Sequence, residues 1–464
     1  MKLSGTGPSG SSTGSWTGIE IKVPADLAGA FIQRSSNGSG SLSTTDVQLV
    51  WDYGAAGLSD EQAEMQSMVK VFGIEMVYVP EGDFYIGDGN GSSESTYALH
   101  VTDNTAARIT SASLSGVTVD SNGNDDIDTS SIAIDGDNGI TGNEKYPAGW
   151  TAFYAMKYEL SQGEYRDFLN TLSRAQQTNR IASSVVANDY AMTSATTVTY
   201  RDMIRIQSSL PASGPYTFGT DYAANSASGD GTLNGSGDGE WIAMNYVHWM
   251  DWAAFCDWAG LRPMTALEFE KAGRGPAVAV YGEYAWGTTQ ITDSGLSGDG
   301  APANTGATNE TPDRTGNGLA NYDSDSSDDP DGPMRVGFAA TSSTNRVQAG
   351  ASYYGATDMS GNLSELTATL GNSTGRAFKG THGDGILTTT TSYEGNATNI
   401  DWPGIDATTA RGVTGATGSE YRGGDWSVGA TPLTLSDRTN TSTSETTRRE
   451  YYGGRAARTS PQYD

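Results

Sequence analysis

The chain reads as an α+β protein with long loops, and three observations carry that reading. Short segments of alternating apolar and polar residues recur between Gly/Ser turns, which is the period-2 pattern of strands. Two stretches switch to helical spacing behind a capping box, Ser161 with Glu164 and Thr265 with Glu268. Between the apolar patches lie polar runs rich in Gly, Ser, Thr, Asn and Asp, which read as turns and long surface loops. Helices set among many strands imply an α+β domain.

At 464 residues the chain can hold two or three domains, or one elaborated domain with insertions, and can bury a large core. The net charge is -28, with seven Lys against twenty Arg, so nucleic acid and anionic membranes are excluded as partners while divalent cations suit the field. Sixty glycines and the Ser/Thr-rich turns match secreted or surface-displayed proteins, of a cell or a virion, and such a location is expected. No apolar run approaches 18 residues, so no membrane insertion is expected. The opening MKLSGTGPSGSSTG has a Lys with no apolar segment behind it. No signal peptide is therefore expected in the given chain; export by another route, a renumbered mature start and membership of a particle are the alternatives. Cys256 is the only cysteine, which rules out an intrachain disulfide, and its place between Phe255 and Trp258 reads as a buried small apolar side chain.

In chain order, residues 1–15 read as a flexible polar arm. Its GTGPSG and GSSTG strings match the dinucleotide fingerprint and the hydrolase elbow only formally, since no strand precedes either. Residues 16–73 read as a small all-β module, with strands over 18–23, 30–34, 46–53 and 68–73 and a short helix over 58–65. So few strands leave an edge that invites pairing with a neighbour. Residues 74–89 hold two strands around Pro80, Glu81 and Gly82. An insertion over about 90–148 carries acidic runs at 120–128 and 135–139. These read as solvated loops rather than EF-hands, because Asp125 stands where the turn needs Gly and no Glu closes either run.

Residues 150–173 read as a strand followed by a helix whose apolar face is Tyr165, Phe168 and Leu169. A long insertion loop is expected over 174–240. A helix over 249–259 presents Trp249, Trp252 and Trp258, whose spacing marks a core face before a sugar platform. Glu268 and Glu270, two apart on the next helix, read as a cap and a solvated face rather than an acid/base pair. A third insertion covers about 288–350.

In GATDMSGNLSELT, residues 355–367, the positions Asp358, Gly361, Leu363 and Glu365 fall at relative places 0, 3, 5 and 7. That spacing can wrap two carboxylates and two carbonyls around one hard cation, calcium being the natural candidate. A Gly-Asn turn entering a core strand is the plainer alternative.

Seven ordered segments, IEMVYVPEGDFYIG, FYAMKYELSQGEYRDFL, NYVHWMDWAAFCDWAGLRPMTALEFEKAGRG, YAWG, TDMSGNLSELT, YRGGDW and GGRAAR, together resemble the formylglycine-generating enzyme or sulfatase-modifying-factor family. The resemblance implies a C-type-lectin-like fold over 74–464, preceded by the all-β module. It implies structural calcium at Asp358, Gly361, Leu363 and Glu365. It also implies a second calcium site at Asn321, Tyr322, Asp331 and Pro333, for which an acidic hairpin loop is the alternative.

The family includes copper-dependent oxidases, iron-dependent sulfoxide synthases and binding proteins without chemistry. The oxidases need two cysteines after the RGG motif, and none stands between Tyr421 and Arg458. The synthases need three histidines, whereas His100, His248 and His382 have no ligand spacing, and His248 reads as a helix cap or core residue. No catalytic residue is assigned and neither copper nor iron is expected.

A non-catalytic, calcium-braced structural or binding protein follows as the expected function. The Ser/Thr/Asn/Tyr/Arg mixture of 425–452 resembles an adaptable paratope, with Asp425, Trp426, Arg438, Asn440, Tyr451 and Tyr452 as ligand-contacting candidates and a protein or glycan as ligand. An ordinary packing loop is the alternative there. Arg422, Arg438 and Arg455 read as buried partners of acids. Self-association into a fibre or array through the N-terminal module is expected as well. Two other functions stay open: a receptor-binding display protein, and an oxidase with an altered metal centre.

Overall fold

The computed structural model describes residues 70–88, 146–182, 184–222, 229–293, 309–323, 331–441 and 443–461, together with short stretches elsewhere, chiefly 19–26, 29–35 and 106–111. The strand Phe153–Met156 buries Phe153, Ala155 and Met156 almost completely. It runs antiparallel to Met76–Val79 on one side, Phe153 facing Val79, and to Ala456–Thr459 on the other, Phe153 facing Thr459. Arg262–Pro263 completes this four-stranded sheet beside Ala456–Thr459. The end of the domain is thus woven between strands from its beginning and middle.

A second sheet has Ser364–Ala368 at its centre, antiparallel to Ser419–Arg422 and parallel to Tyr452–Gly453. All five residues of the central strand are buried, so both faces are covered and the strand cannot alternate apolar with polar.

Four helices carry capping boxes: α1 (Gln162–Leu169) behind Ser161, α2 (Arg174–Asn179) behind Ser173, α3 (Trp249–Trp258) behind His248 and α4 (Ala266–Arg274) behind Thr265. Helix α3 is buried nearly all round, with Trp249, Trp252, Phe255 and Cys256 at zero exposure. Its Phe255 and Trp258 rings meet Phe168 of α1 at centroid distances of 5.9 and 5.4 Å. Truncating a tryptophan in such a seam costs about 3–5 kcal/mol. No described helix is long and apolar enough to cross a membrane.

The structure departs from the sequence reading in four places. Residues 174–240 are not one loop: they hold α2 and a hairpin of Ile204–Ile206 with Phe218–Thr220. Side-chain amides zip that hairpin to the helices, with Asn170 bonded to both backbone groups of Phe218 and Gln177 donating to Leu169 and Tyr216 carbonyls. Such bonding leaves no apolar run to read. Residues 70–73 form no strand.

Glu270 is not on a solvated face but fully buried. In the arm, Leu3–Ser4 pairs with Val50–Trp51. The Ile19–Lys22 and Phe31–Arg34 hairpin lies on the main domain, Arg458 pairing with Asp26 at 2.6 Å and Phe31 stacking on Tyr154. The acidic runs at 120–128 and 135–139, most of 58–65 and His100 lie outside the described residues.

Candidate functional site

The turn ahead of the Ser364–Ala368 strand folds tightly because three of its residues take left-handed backbone: Asp358 (φ 62°), Gly361 (φ 92°) and Asn362 (φ 67°). Asn tolerates that region, and at Gly361 a side chain would stand 2.6 Å from the Asn321 carbonyl. Asn362 is the hub. Its backbone N–H donates to the Asn321 carbonyl (2.9 Å), and its Oδ1 accepts from Met334 N (2.7 Å) and Asn321 Nδ2 (3.1 Å). Its Nδ2 donates to Glu159, which also accepts from Leu363 N at 3.0 Å.

Glu159 escaped sequence reading. Its one signal is an acid inside the apolar run that leads into α1. Burial pushes its carboxyl well up, and the neighbouring Asp358 and Glu365 carboxylates push it further.

Of the four positions expected around one cation, the two carboxylates have protein donors. Asp358 Oδ2 accepts from Gly337 N (2.6 Å) and Thr357 Oγ1 (2.9 Å). Both oxygens of Glu365 face Arg455, whose Nε lies 3.1 Å from each and whose Nη2 lies 2.7 Å from Oε1. Arg455 also donates to the Thr357 and Met156 carbonyls. The positive charge facing Glu365 is supplied by the Arg455 guanidinium.

The second set contains an unpartnered buried oxygen. Asn321 Oδ1 has no hydrogen-bond partner although Asn321 has no exposure, and a buried orphan oxygen is what a hard cation would satisfy. Pro333 of that set gives its carbonyl to Arg201 Nη1 at 2.7 Å. Among the described residues no three His, Cys, Asp or Glu side chains cluster as a metal site.

The RGGDW turn builds a cleft next to this hub. Gly423 (φ 88°) and Gly424 (φ 65°) are both left-handed, and a side chain at Gly424 would meet Leu433 Cδ1 at 2.6 Å. The turn brings Asp425 onto Ser364, whose hydroxyl donates at 2.8 Å, while Ser427 donates through its N–H and hydroxyl. Beyond it opens a cleft of about 280 Å³ lined by Ser364, Tyr421, Asp425, Asp437, Asn440 and Tyr451, with Val428 and Pro432 among the rest of its wall.

Of the six ligand-contacting candidates, Asp425, Asn440 and Tyr451 line the cleft. The other three lie behind it. Trp426 is buried with its Nε1 on the Glu450 carbonyl, Tyr452 is packed between Tyr421 and Tyr451, and Arg438 pairs with Glu270. Tyr421 and Asp437, which face the cleft, were not singled out from sequence.

The floor is a buried charge cluster centred on Glu270. This carboxylate accepts from Arg438 (2.9 Å), Arg422 (3.3 Å), Arg274 (3.3 Å) and the Gly87 N–H (2.7 Å). Burial alone would raise it, but Arg438, Arg422 and Arg274 together hold it down at about 2. Asp437 is pushed up to about 7 by burial, against the hydrogen bonds from Thr439.

His248 and His382 are not brought together. The first accepts the Asp251 N–H as the α3 cap. The second accepts the Thr459 N–H, and burial holds it well below its ordinary range.

A sequence model of the sulfatase-modifying factor enzyme 1-like domain matches residues 61–460. Among solved structures the chain is similar to PvdO from Pseudomonas aeruginosa, at 14% identity over 83% of this chain and 95% of that one, with a TM-score of 0.36. It is similar to Treponema denticola variable protein 1 at 12% identity, covering 85% and 98%, with a TM-score of 0.35. For the Major Tropism Determinant U1 variant the values are 14%, 94%, 93% and 0.23. No curated protein matches the chain.

Proposed function

The chain belongs to the sulfatase-modifying factor enzyme 1-like family, and from that premise we propose that it uses the family's domain to bind a ligand rather than to catalyse a reaction. One observation carries the reading: the two carboxylates at the cleft are each held by their own neighbours. Asp425 takes three hydrogen bonds from Ser364 and Ser427, and Asp437 takes two from Thr439. Its three bonds make Asp425 a fixed part of a preorganised polar wall. The absence of cysteine between Tyr421 and Arg458 agrees with it.

Calcium belongs to the same proposal at Asn321, Tyr322, Asp331 and Pro333, where it would brace the loop behind Asn362. The proposed setting is extracellular or surface-displayed. Self-association is supported by the N-terminal ribbons, which have two strands each and no further strand partner among the described residues.

The test is an oxidase assay on cysteine-containing peptides with added copper or iron, run beside elemental analysis. Metal-dependent turnover would sink the binding reading, whereas calcium without turnover supports it. Sedimentation of the chain lacking residues 1–35 tests assembly, and unchanged assembly would remove the ribbons from it.

A further inference from the structure

The turn of Arg422, Gly423 and Gly424 carries hydrogen-bond donors that the fold does not use. Arg422 gives its Nη2 to Glu270 and to the Leu435 carbonyl. Its Nε and Nη1 make no hydrogen bond, with Glu420 standing 3.6 Å from Nη1. The N–H groups of Gly423 and Gly424 likewise donate to no described residue. All three residues are buried and line the cleft. A buried donor without an acceptor costs about 1–3 kcal/mol, more where it is charged, so this turn is short of an anionic oxygen. The missing side chains of the two glycines let a ligand approach the backbone closely.

The same cleft holds spare acceptors. A carboxylate offers about four acceptor positions. Asp425 fills three of them with Ser364 and Ser427, and Asp437 fills two with Thr439. The guanidiniums of Arg422 and Arg438 are turned to Glu270 and Glu420 rather than to these aspartates.

We propose that the cleft takes a free amino acid as its zwitterion, the carboxylate on the turn of Arg422, Gly423 and Gly424 and the ammonium on Asp425 and Asp437. This rests on the binding reading above and names the ligand class for it.

Each simpler ligand leaves part of the wall unmet. An anion alone would stand beside two aspartates, and a cation alone would stand beside Arg422 while the donors of the turn stayed unpartnered. A neutral polyol brings no charge to either side, and a charge-assisted hydrogen bond is roughly twice as strong as a neutral one. A zwitterion supplies both charges at once. The size agrees, since about 280 Å³ lies at the small end of ligand sites, and Tyr421, Tyr451, Val428 and Pro432 offer apolar surface to a side chain.

The experiment screens the full chain against the common L-amino acids by thermal melting. The best binder is then measured by calorimetry beside its decarboxylated amine and its deaminated acid. The expected result is a loss of about tenfold or more in affinity for each half-ligand. Comparing half-ligands tests the turn without a substitution at Arg422, which would also disturb the Glu270 cluster. Asp425→Asn, checked by thermal melting, is expected to weaken the amino acid about tenfold and to leave the deaminated acid bound at least as tightly as in wild type.

No binding by any amino acid overturns the proposal. So does an amine half-ligand as tight as the parent, or amino acid binding that Asp425→Asn leaves unchanged. A neutral oligosaccharide or a basic peptide bound in its place, and lost in Asp425→Asn, overturns the zwitterion while leaving the binding reading standing. Metal-dependent turnover of a cysteine peptide overturns both.

Discussion

Arg438 donates to Glu270 at 2.9 Å across 168 positions of the chain, and neither side chain has any exposure. The pair fastens the loop that carries Asp437, Thr439 and Asn440 to helix α4. Arg422 and Arg274 share the same carboxylate, so one acid organises three guanidiniums beneath the cleft.

Removing that acid leaves three buried cations without their common partner. Glu270→Ala is expected to lower stability by about 3–5 kcal/mol, read as a shifted denaturant midpoint with unchanged slope. The same group gives a pH signature. Its folded pKa of about 2 lies below its ordinary 4.5. The stabilisation is therefore complete above pH 4.5 and lost as pH falls toward 2. Acid melts of wild type and Glu270→Gln should converge in that window.

Arg455 and Glu365 form the second buried pair, at 2.7 Å. Either Arg455→Ala or Glu365→Gln is expected to cost about 3–5 kcal/mol, since each strands a polar group where water does not reach. Calcium should not rescue Glu365→Gln. Where calcium binds at the Asn321 set, saturation at a hundredfold above Kd should add about 2.7 kcal/mol to wild type. Asn321→Ala should abolish that gain in calcium titrations followed by thermal melting.

Asp202 behaves in the opposite sense to Glu270. Burial raises its carboxyl from 3.8 to about 7 against hydrogen bonds from Thr193 and Ile204. The folded state then keeps a proton that the unfolded chain releases, so this group's contribution is full below pH 3.8 and lost as pH rises to 7. Asp202→Asn should flatten that decline, and an equal slope in the two proteins between pH 4 and 7 would contradict the assignment.

Cys256 offers a simple probe of α3. It has no exposure and burial raises its thiol well above the ordinary range. A thiol reagent should modify none of it in the native protein and one equivalent after denaturation. Fast native labelling would mean that α3 opens locally.

Local chemistry was legible where it decided local structure. Ser161 with Glu164 and Thr265 with Glu268 satisfy helix N–H groups within four residues, so the sequence determined where α1 and α4 begin. The tryptophans of α3, the buried Cys256, the GNL turn and the motif order that marks the family were likewise written in neighbouring residues.

Tertiary structure alone decided the rest, because the deciding partners are distant in sequence and chemically unremarkable until they meet. Glu270 looked like a surface acid since two of its three arginines come 152 and 168 positions later. Arg455 reaches Glu365 from 90 positions further along the chain. Asn170 and Gln177 hold the Phe218 hairpin by amide bonds that carry no periodicity. Tyr200 reached Trp426 only through a backbone kink fixed from behind by Arg201 and Glu310. Periodicity reports which face is apolar, whereas a buried charge finds its partner only when the chain closes and water is gone.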